Sequence, residues 1–299
     1  MSPTPPQHVP VMLDEIVHWL APHPGQTLVD GTLGGGGHTR ALAERVGREG
    51  VVIALDRDPA ALATAEKELQ GLSVVLAESN FCDLPEVLAE LKISVVDGIV
   101  LDLGLSSDQL ADQQRGFSFD ASGPLDLRFN PEIGEPASRL VNHMREENLA
   151  NLIFQYGEER LSRRIARAIA SARREKPIET SAELAEIVRR AVPRQPHDRI
   201  DPATRTFQAL RIAVNDELKS LEIALKRLPD CLREGGRLAV ISFHSLEDRR
   251  VKEAFRGNPC WETLTSKPLR PSEAEIERNP RARSAKLRVA TRTGLQQIG

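Results

Sequence analysis

The chain has 299 residues, 40% of them hydrophobic, and a formal net charge of −3. That is room for one large or two modest domains with a real core, and no apolar run approaches the ~20 residues of a membrane span. Three scattered cysteines (Cys82, Cys231, Cys260) without C-x-x-C spacing, and seven histidines without an H-x-x-x-H pair, argue against a disulfide framework and a zinc site.

The N-terminal MSPTPPQHVP is proline-rich and lacks the basic-then-apolar layout of a secretory signal, so a reduced, cytoplasmic, metal-free protein is expected. His8 to Leu20 reads as a lead-in and a short amphipathic helix with Met12, Ile16, Trp19 and Leu20 inward. The stretch TLVDGTLGGGGH, from Thr27 to His38, is the most informative in the chain. An apolar run ends in Asp30, turns through Gly31 and Gly34, Gly35, Gly36 and Gly37, and enters a helical pattern at His38. Strand, glycine turn and helix together build a nucleotide site in parallel α/β folds, because the backbone can approach a ligand and the helix start offers free N–H groups. No register supplies the G-x-G-x-x-G spacing of a dinucleotide site. A second strand, Val51 to Leu55, ends in Asp56, roughly twenty residues past the glycines, where a carboxylate accepts from ribose hydroxyls. That pattern fits S-adenosylmethionine better than a pyrophosphate.

Pro59 marks the start of a helix continuing through Leu62, Ala65 and Leu69. Ser73 to Leu76 is a third strand, Asp83 to Leu91 a helix, and Gly98 to Leu103 a fourth strand. Alternation at this spacing means a parallel sheet covered on both faces. Ligands bind beyond the carboxyl ends of such strands, and Asp30, Asp56, Phe81 and Asp102 stand at four successive ends.

The alternation then breaks. Residues 113–135 are rich in Gly, Pro and aromatics, and helical segments follow to about residue 228. Over 158–174, Leu161, Ile165, Ala168, Ile169 and Ala172 share one face, while Arg160, Arg163, Arg164, Arg167 and Arg174 line the other. A one-sign arginine stripe suits phosphate. Thr180 and Glu183 form a capping box, and one long helix is expected from Asp201–Pro202 to Pro229. Gly236 to Phe243 is a fifth strand leading into His244, and Lys286 to Thr291 a last one. Charge is segregated: residues 1–150 carry 10 basic against 23 acidic groups, residues 151–211 carry 13 against 8, and residues 249–299 carry 12 against 5. An acidic body with two basic surfaces admits a polyanionic partner.

The architecture expected is α/β: a Rossmann-like class I SAM-dependent methyltransferase core over 1–112 and 210–299, with an inserted helical substrate-recognition domain over 113–209.

Ten ordered blocks together resemble the MraW/RsmH methyltransferase family. They are HVPVMLDE from His8, DGTLGGGGHT from Asp30, ALDRDP from Ala54, DLGLSS from Asp102 and RGFSF from Arg115. GPLDLR from Gly123, YGEER from Tyr156, PATRTFQALRI from Pro202, SFHSLEDR from Ser242 and NPRARSAKLR from Asn279 complete the set. The resemblance implies methylation of the exocyclic N4 of a decoding-centre cytosine (C1402) in 16S rRNA, with the small ribosomal subunit as partner. It implies cofactor contacts at Gly36, Gly37, His38, Asp56, Phe81, Asp102 and Gln109, the last being supplied by the resemblance alone. The variable stretches 194–201 and 262–278 carry no implied contacts, and a homodimer is left open.

Methyl transfer from a sulfonium needs alignment in a dry pocket. Cytosine N4 is a poor nucleophile, and an acceptor facing its amino group helps as positive charge develops. Asp102 and the following backbone to Ser106 are the candidates, with His244 and Asp126 as weaker ones. A flipped base requires RNA contacts, expected from Arg160, Arg163, Arg164 and Arg167, with Phe117, Phe119 or Phe129 stacking. The D/N-P-P-Y/F tetrapeptide of many amino-methyltransferases is absent. The alternative is an amino-methyltransferase acting on another RNA, a protein or a small molecule.

Overall fold

A computed structural model describes residues 10–119, 123–193 and 200–294. In chain order the elements are α1 (Leu13–Leu20), β1 (Thr27–Asp30), α2 (Gly37–Val46), β2 (Val51–Asp56), α3 (Pro59–Glu68), β3 (Val74–Glu78), α4 (Leu84–Glu90) and β4 (Val96–Asp102). Six helices follow: α5 (Ser107–Ala111), α6 (Ala137–His143), α7 (Glu146–Gly157), α8 (Ser162–Glu175), α9 (Ser181–Ala191) and α10 (Thr204–Asn215). The chain closes with α11 (Glu217–Cys231), β5 (Leu232–Ser242), α12 (Ser245–Gly257), β6 (Trp261–Thr263), α13 (Glu273–Arg278) and β7 (Lys286–Arg292). It divides into two compact units, residues 1–105 with 218–299, and residues 106–217. The divisions fall at 105/106 and 217/218, and α10 packs on α7 inside the second unit.

The first unit is a seven-stranded sheet in the order β3-β2-β1-β4-β5-β7-β6. The first five strands run parallel, and β7 pairs antiparallel with both β5 and β6. Successive residues of a strand face opposite ways, so continuous apolar runs fill two cores at once. Val29, Ile53, Ile99, Leu238 and Val240 pack with Leu221, Leu225 and Leu228 of α11 on one face. Leu28, Val52, Val100, Ala239 and Ile241 pack with Ile16 and Leu20 of α1 and Leu42 and Val46 of α2 on the other. All five parallel strands therefore present their carboxyl ends on one edge.

Local chemistry sets the boundaries. Asp58 caps α3 by accepting from the Ala60 N–H at 3.1 Å, with Pro59 at the first helical position. β5 starts four residues earlier than expected, because Leu232 pairs with Val96 before a bulge, and regular pairing resumes at Arg237. The three-residue β6 is too short to register as a pattern. The helix expected from 201 to 229 is two helices. Asp216 takes the left-handed conformation at φ 51°, and Pro229 lies inside α11 rather than ending it.

The second unit is helical. α7 packs on α8 and α10, and α8 on α9, around buried Leu149, Ile153, Ile165, Ile169, Leu184, Val188, Phe207 and Leu210. The Thr180–Glu183 capping box forms as expected, with bonds of 3.2 and 3.1 Å. The inward face of α8 is Ser162, Ile165, Ala166, Ile169 and Ala170; Leu161, expected inside, precedes the helix and is exposed. The proline-rich start and residues 194–199 lie outside the described residues.

One ion cluster fastens α12 to β7. Asp248 accepts from Arg288 Nε at 2.6 Å and Lys286 Nζ at 3.1 Å, and Arg288 is buried. Asp248→Ala strands that guanidinium and should destabilise the protein by about 3 kcal/mol. Adding Arg288→Leu should recover part of the loss. Urea melts of both variants check this; a single variant as stable as wild type contradicts it.

Candidate active site

The site is built at the strand ends of the first unit, and its foundation is Asp30. This carboxylate is fully buried. Its Oδ1 accepts from the Thr32 N–H at 3.1 Å and its Oδ2 from the Thr39 hydroxyl at 2.7 Å. The glycine turn is thus pinned at both shoulders. The Thr32 hydroxyl also accepts from the Asp102 N–H at 2.6 Å, tying the turn to the end of β4. Asp30, expected to touch the cofactor, is fully buried, with both oxygens engaged by Thr32 and Thr39.

The turn itself needs its glycines. Gly34 and Gly36 have φ of 49° and 72°, where a side chain is strained. A Cβ on Gly31 would sit 2.4 Å from Leu101 Cδ2 and 3.0 Å from Phe81 Cβ, so β1, β4 and Phe81 approach only because it has none. Gly36 is the N-cap of α2 and gives that helix no side-chain cap. Its first N–H groups suit an anion.

Asp56 ends β2 with Oδ2 accepting from the Gly34 N–H at 2.8 Å and Oδ1 from the Asp58 N–H at 2.9 Å. Each carboxylate oxygen keeps a second lone pair for an incoming hydroxyl. Burial raises its pKa to about 6 against the opposing effect of those two N–H groups. Phe81, half-buried, lies in a 3-10 turn (Phe81–Asp83) after β3, opened by Asn80, whose Oδ1 accepts from the Cys82 N–H at 3.3 Å.

Asp102 closes β4. Its Oδ2 lies 3.9 Å from His38 Nδ1. Its Oδ1 is buried and has no hydrogen-bond partner in the protein. Burial pushes its pKa up to about 6, with His38 and Arg281 pulling down and Asp30 and Glu247 pushing up. His38 is buried in the first turn of α2, its Nε2 2.9 Å from the Val11 carbonyl. Arg281, in the 3-10 turn Pro280–Ser284, donates to the Leu105 carbonyl and so holds the loop after β4.

His244 stands immediately before α12. It caps α12, with Nδ1 accepting from the Glu247 N–H at 3.4 Å, while Glu247 Oε2 accepts from the N–H groups of Phe243 (2.8 Å) and His244 (3.3 Å). Its Nε2 lies 3.0 Å from Glu247 Oε1, out of line for a hydrogen bond. The imidazole expected to act in catalysis is thus engaged by Glu247.

The remaining candidates belong to the second unit. Ser106 and Gln109 cap α5 reciprocally, each bond 3.1 Å. Asp126 forms a two-pronged pair with Arg128, at 2.8 and 2.6 Å, which engages both carboxylate oxygens. Arg160, Arg163, Arg164 and Arg167 are all exposed. Arg163 and Arg167 line a cavity of about 360 Å³ with Glu146, Glu147 and Asn151, so part of the stripe faces acids from α7. Phe117 is buried against Phe129, and Phe119 packs on Phe207, which places these rings in the unit's own packing.

Sequence reasoning did not single out Thr32 and Thr39, which tie the glycine turn to Asp30 and Asp102, although both lie inside or beside the glycine stretch. It missed Glu247, whose His-x-x-Glu spacing is a capping-box signal, and Arg281, which has no local signal. Among the described residues no His, Cys, Asp and Glu group could hold a metal, and no helix is long and apolar enough to cross a membrane.

A carboxyl raised on folding favours the folded state only while protonated. For Asp102 that contribution is full below the ordinary 3.8 and is lost as pH rises through about 6. Above that, the ionised group destabilises the fold, by on the order of 3 kcal/mol. Asp102→Asn should therefore melt several degrees higher than wild type at pH 8, with the gap closing by about pH 4. Melting scans across that range check it; a lower melting temperature at pH 8 contradicts it.

The sequence model of the MraW methylase family matches residues 6–293. The chain is 52% identical to a ribosomal RNA small subunit methyltransferase H of Rhodopirellula baltica, covering 96% of this chain and 91% of that one. It is 52% identical to a protein of the same name from Deinococcus radiodurans (97% and 91% covered) and 48% identical to one from Acidobacterium capsulatum (95% and 98% covered). A solved rRNA methylase from Streptococcus thermophilus aligns with 13% identity and a TM-score of 0.44, covering 94% of this chain and 93% of that one.

Proposed function

The chain belongs to the MraW methylase family, and from that premise we propose that it transfers a methyl group from S-adenosylmethionine to the exocyclic N4 of a decoding-centre cytidine, C1402, in 16S rRNA. One observation carries this reading. An open glycine turn, the Asp56 acceptor, the Phe81 ring and a buried carboxylate with a bare oxygen meet at one edge of one sheet. The name of the relatives, ribosomal RNA small subunit methyltransferase H, supports the RNA class and the small subunit. The cytoplasm follows as the compartment where that substrate resides.

The residues fit the cofactor. The positive φ angles at Gly34 and Gly36 and the uncapped start of α2 make a cradle that side chains would fill. Asp56 would accept from the ribose hydroxyls, Phe81 would lie beside the adenine, and the backbone of Gly36, Gly37 and His38 would take the amino-acid end. When bound, S-adenosylmethionine supplies a methyl group already activated on a sulfonium. Asp102 faces the amino group of the base and accepts one of its hydrogens, which returns electron density to N4 as the new bond forms. Gln109, buried at the start of the second unit, is assigned to the cofactor by the family resemblance. The exposed Arg160, Arg163, Arg164 and Arg167 are assigned to RNA phosphates.

With labelled cofactor and small ribosomal subunits, wild type should place label in N4-methylcytidine after digestion to nucleosides. Asp102→Ala should lower kcat by about 100-fold or more. Label on another nucleoside, or none while the cofactor binds, overturns the substrate and keeps the fold. Changing Arg163, Arg164 and Arg167 together to Glu should weaken rRNA binding at least about tenfold at low salt. Cofactor affinity should stay as in wild type. Unchanged RNA affinity removes these arginines from the interface.

A further inference from the structure

We propose that His38 and Asp102 form one proton-holding pair, in which Asp102 takes the proton released from the substrate amino group and passes it to His38 Nδ1. This rests on the methyl-transfer reading above and extends it to a residue that does not itself touch the substrate.

His38 Nε2 faces the Val11 carbonyl at 2.9 Å. A carbonyl oxygen only accepts, so Nε2 carries the hydrogen and donates it. In the neutral ring Nδ1 is then a bare acceptor, and it points at Asp102 Oδ2, 3.9 Å away. Two acceptors facing each other in a buried place are accommodated by one proton between them. An approach of about 1 Å brings them to hydrogen-bond distance.

The two oxygens of Asp102 are therefore different. Oδ2 looks to His38, whereas Oδ1 is buried without a partner in the protein and is the one that can accept from an amino group. The charged neighbours bias the pair without replacing it. Asp30 from β1 is held by Thr32 and Thr39, Glu247 from α12 by the N–H groups of Phe243 and His244, and Arg281 by the Leu105 carbonyl. Asp30 and Glu247 raise the proton affinity of Asp102, and Arg281 lowers it.

The step balances. The N4 lone pair forms the N–C bond, and the C–S bond breaks with its electrons left on sulfur, converting sulfonium to thioether. The methylated amino group now carries one positive charge and loses one hydrogen as a proton to Asp102. A turn of the carboxyl group carries that proton from the substrate side to the His38 side, and Asp102 returns to carboxylate as His38 Nδ1 takes it. The Nε2–H bond to Val11 persists throughout.

His38→Gln tests the pair, because a glutamine amide can keep the donor to Val11 and has no titratable nitrogen. In protein with neither RNA nor cofactor, the Asp102 carboxyl carbon resonance should titrate near 6 in wild type. It should titrate at a different pH in His38→Gln, where the group that shares its proton is lost. In the methylation assay the acid limb of kcat should move in the same direction by the same amount. At pH 8 kcat should fall about 10- to 100-fold, with KM for the cofactor changed less than about threefold. An unmoved Asp102 titration, or a raised KM with an unmoved acid limb, overturns the pair and leaves His38 a structural residue. If His38→Gln does not fold, Asp102→Asn decides: the pH dependence of the His38 Nδ1 resonance must change from wild type, and an identical curve overturns the pair. Absence of RNA methylation by wild type would overturn the function instead, and the Asp102 titration would still decide the pair.

Discussion

The buried carboxylate of Asp30 holds the rest of the site in place. Its two oxygens fix Thr32 and Thr39 on either side of the glycine turn, and Thr32 carries the constraint across to the Asp102 N–H. The turn, the start of α2 and the end of β4 therefore move as one piece. Parallel pairing of β2, β1 and β4 brings Asp56 and Asp102 to the same edge. With that frame rigid, the positive φ angles at Gly34 and Gly36 become an opening rather than slack.

Function at this edge opposes stability. Asp56 and Asp102 both sit where burial raises their pKa to about 6, so near neutral pH the fold holds two carboxylates that would be more stable in water. Asp56 is compensated by two backbone N–H groups, whereas Asp102 keeps one oxygen bare. An acceptor left unsatisfied in the free protein is satisfied on binding, which concentrates the interaction on the ligand. Other polar candidates already have partners within their own units: His244 with Glu247 in the first, and Ser106 with Gln109 and Asp126 with Arg128 in the second.

The strands and the glycine turn were legible because a two-faced parallel sheet writes continuous apolar runs that end in acids. Asp56, Phe81, Asp102 and the glycines could be placed from those ends alone. Asp30 was placed at the right strand end, but its bonds to Thr32 and Thr39 were not foreseen, since where a carboxylate points is a matter of side-chain direction. The break at Asp216 was invisible for a different reason. Asn215 turns its amide to Leu127 and Phe129, bonding both at 2.7 Å, and a partner 86 or 88 positions away leaves no trace in local periodicity. The same holds for Arg281 at Leu105 and for the acids of α7 beside the arginines of α8. Helical-wheel reasoning sees one helix, and the sign of a surface depends on its neighbours.

The most direct measurement is a crystal structure of the protein with S-adenosylhomocysteine and a cytidine-containing oligonucleotide. The extruded cytosine N4 should lie within about 3 Å of Asp102 Oδ1, with Asp56 on the ribose of the cofactor. An N4 held by other groups, with Asp102 Oδ1 turned away from the base, would contradict it.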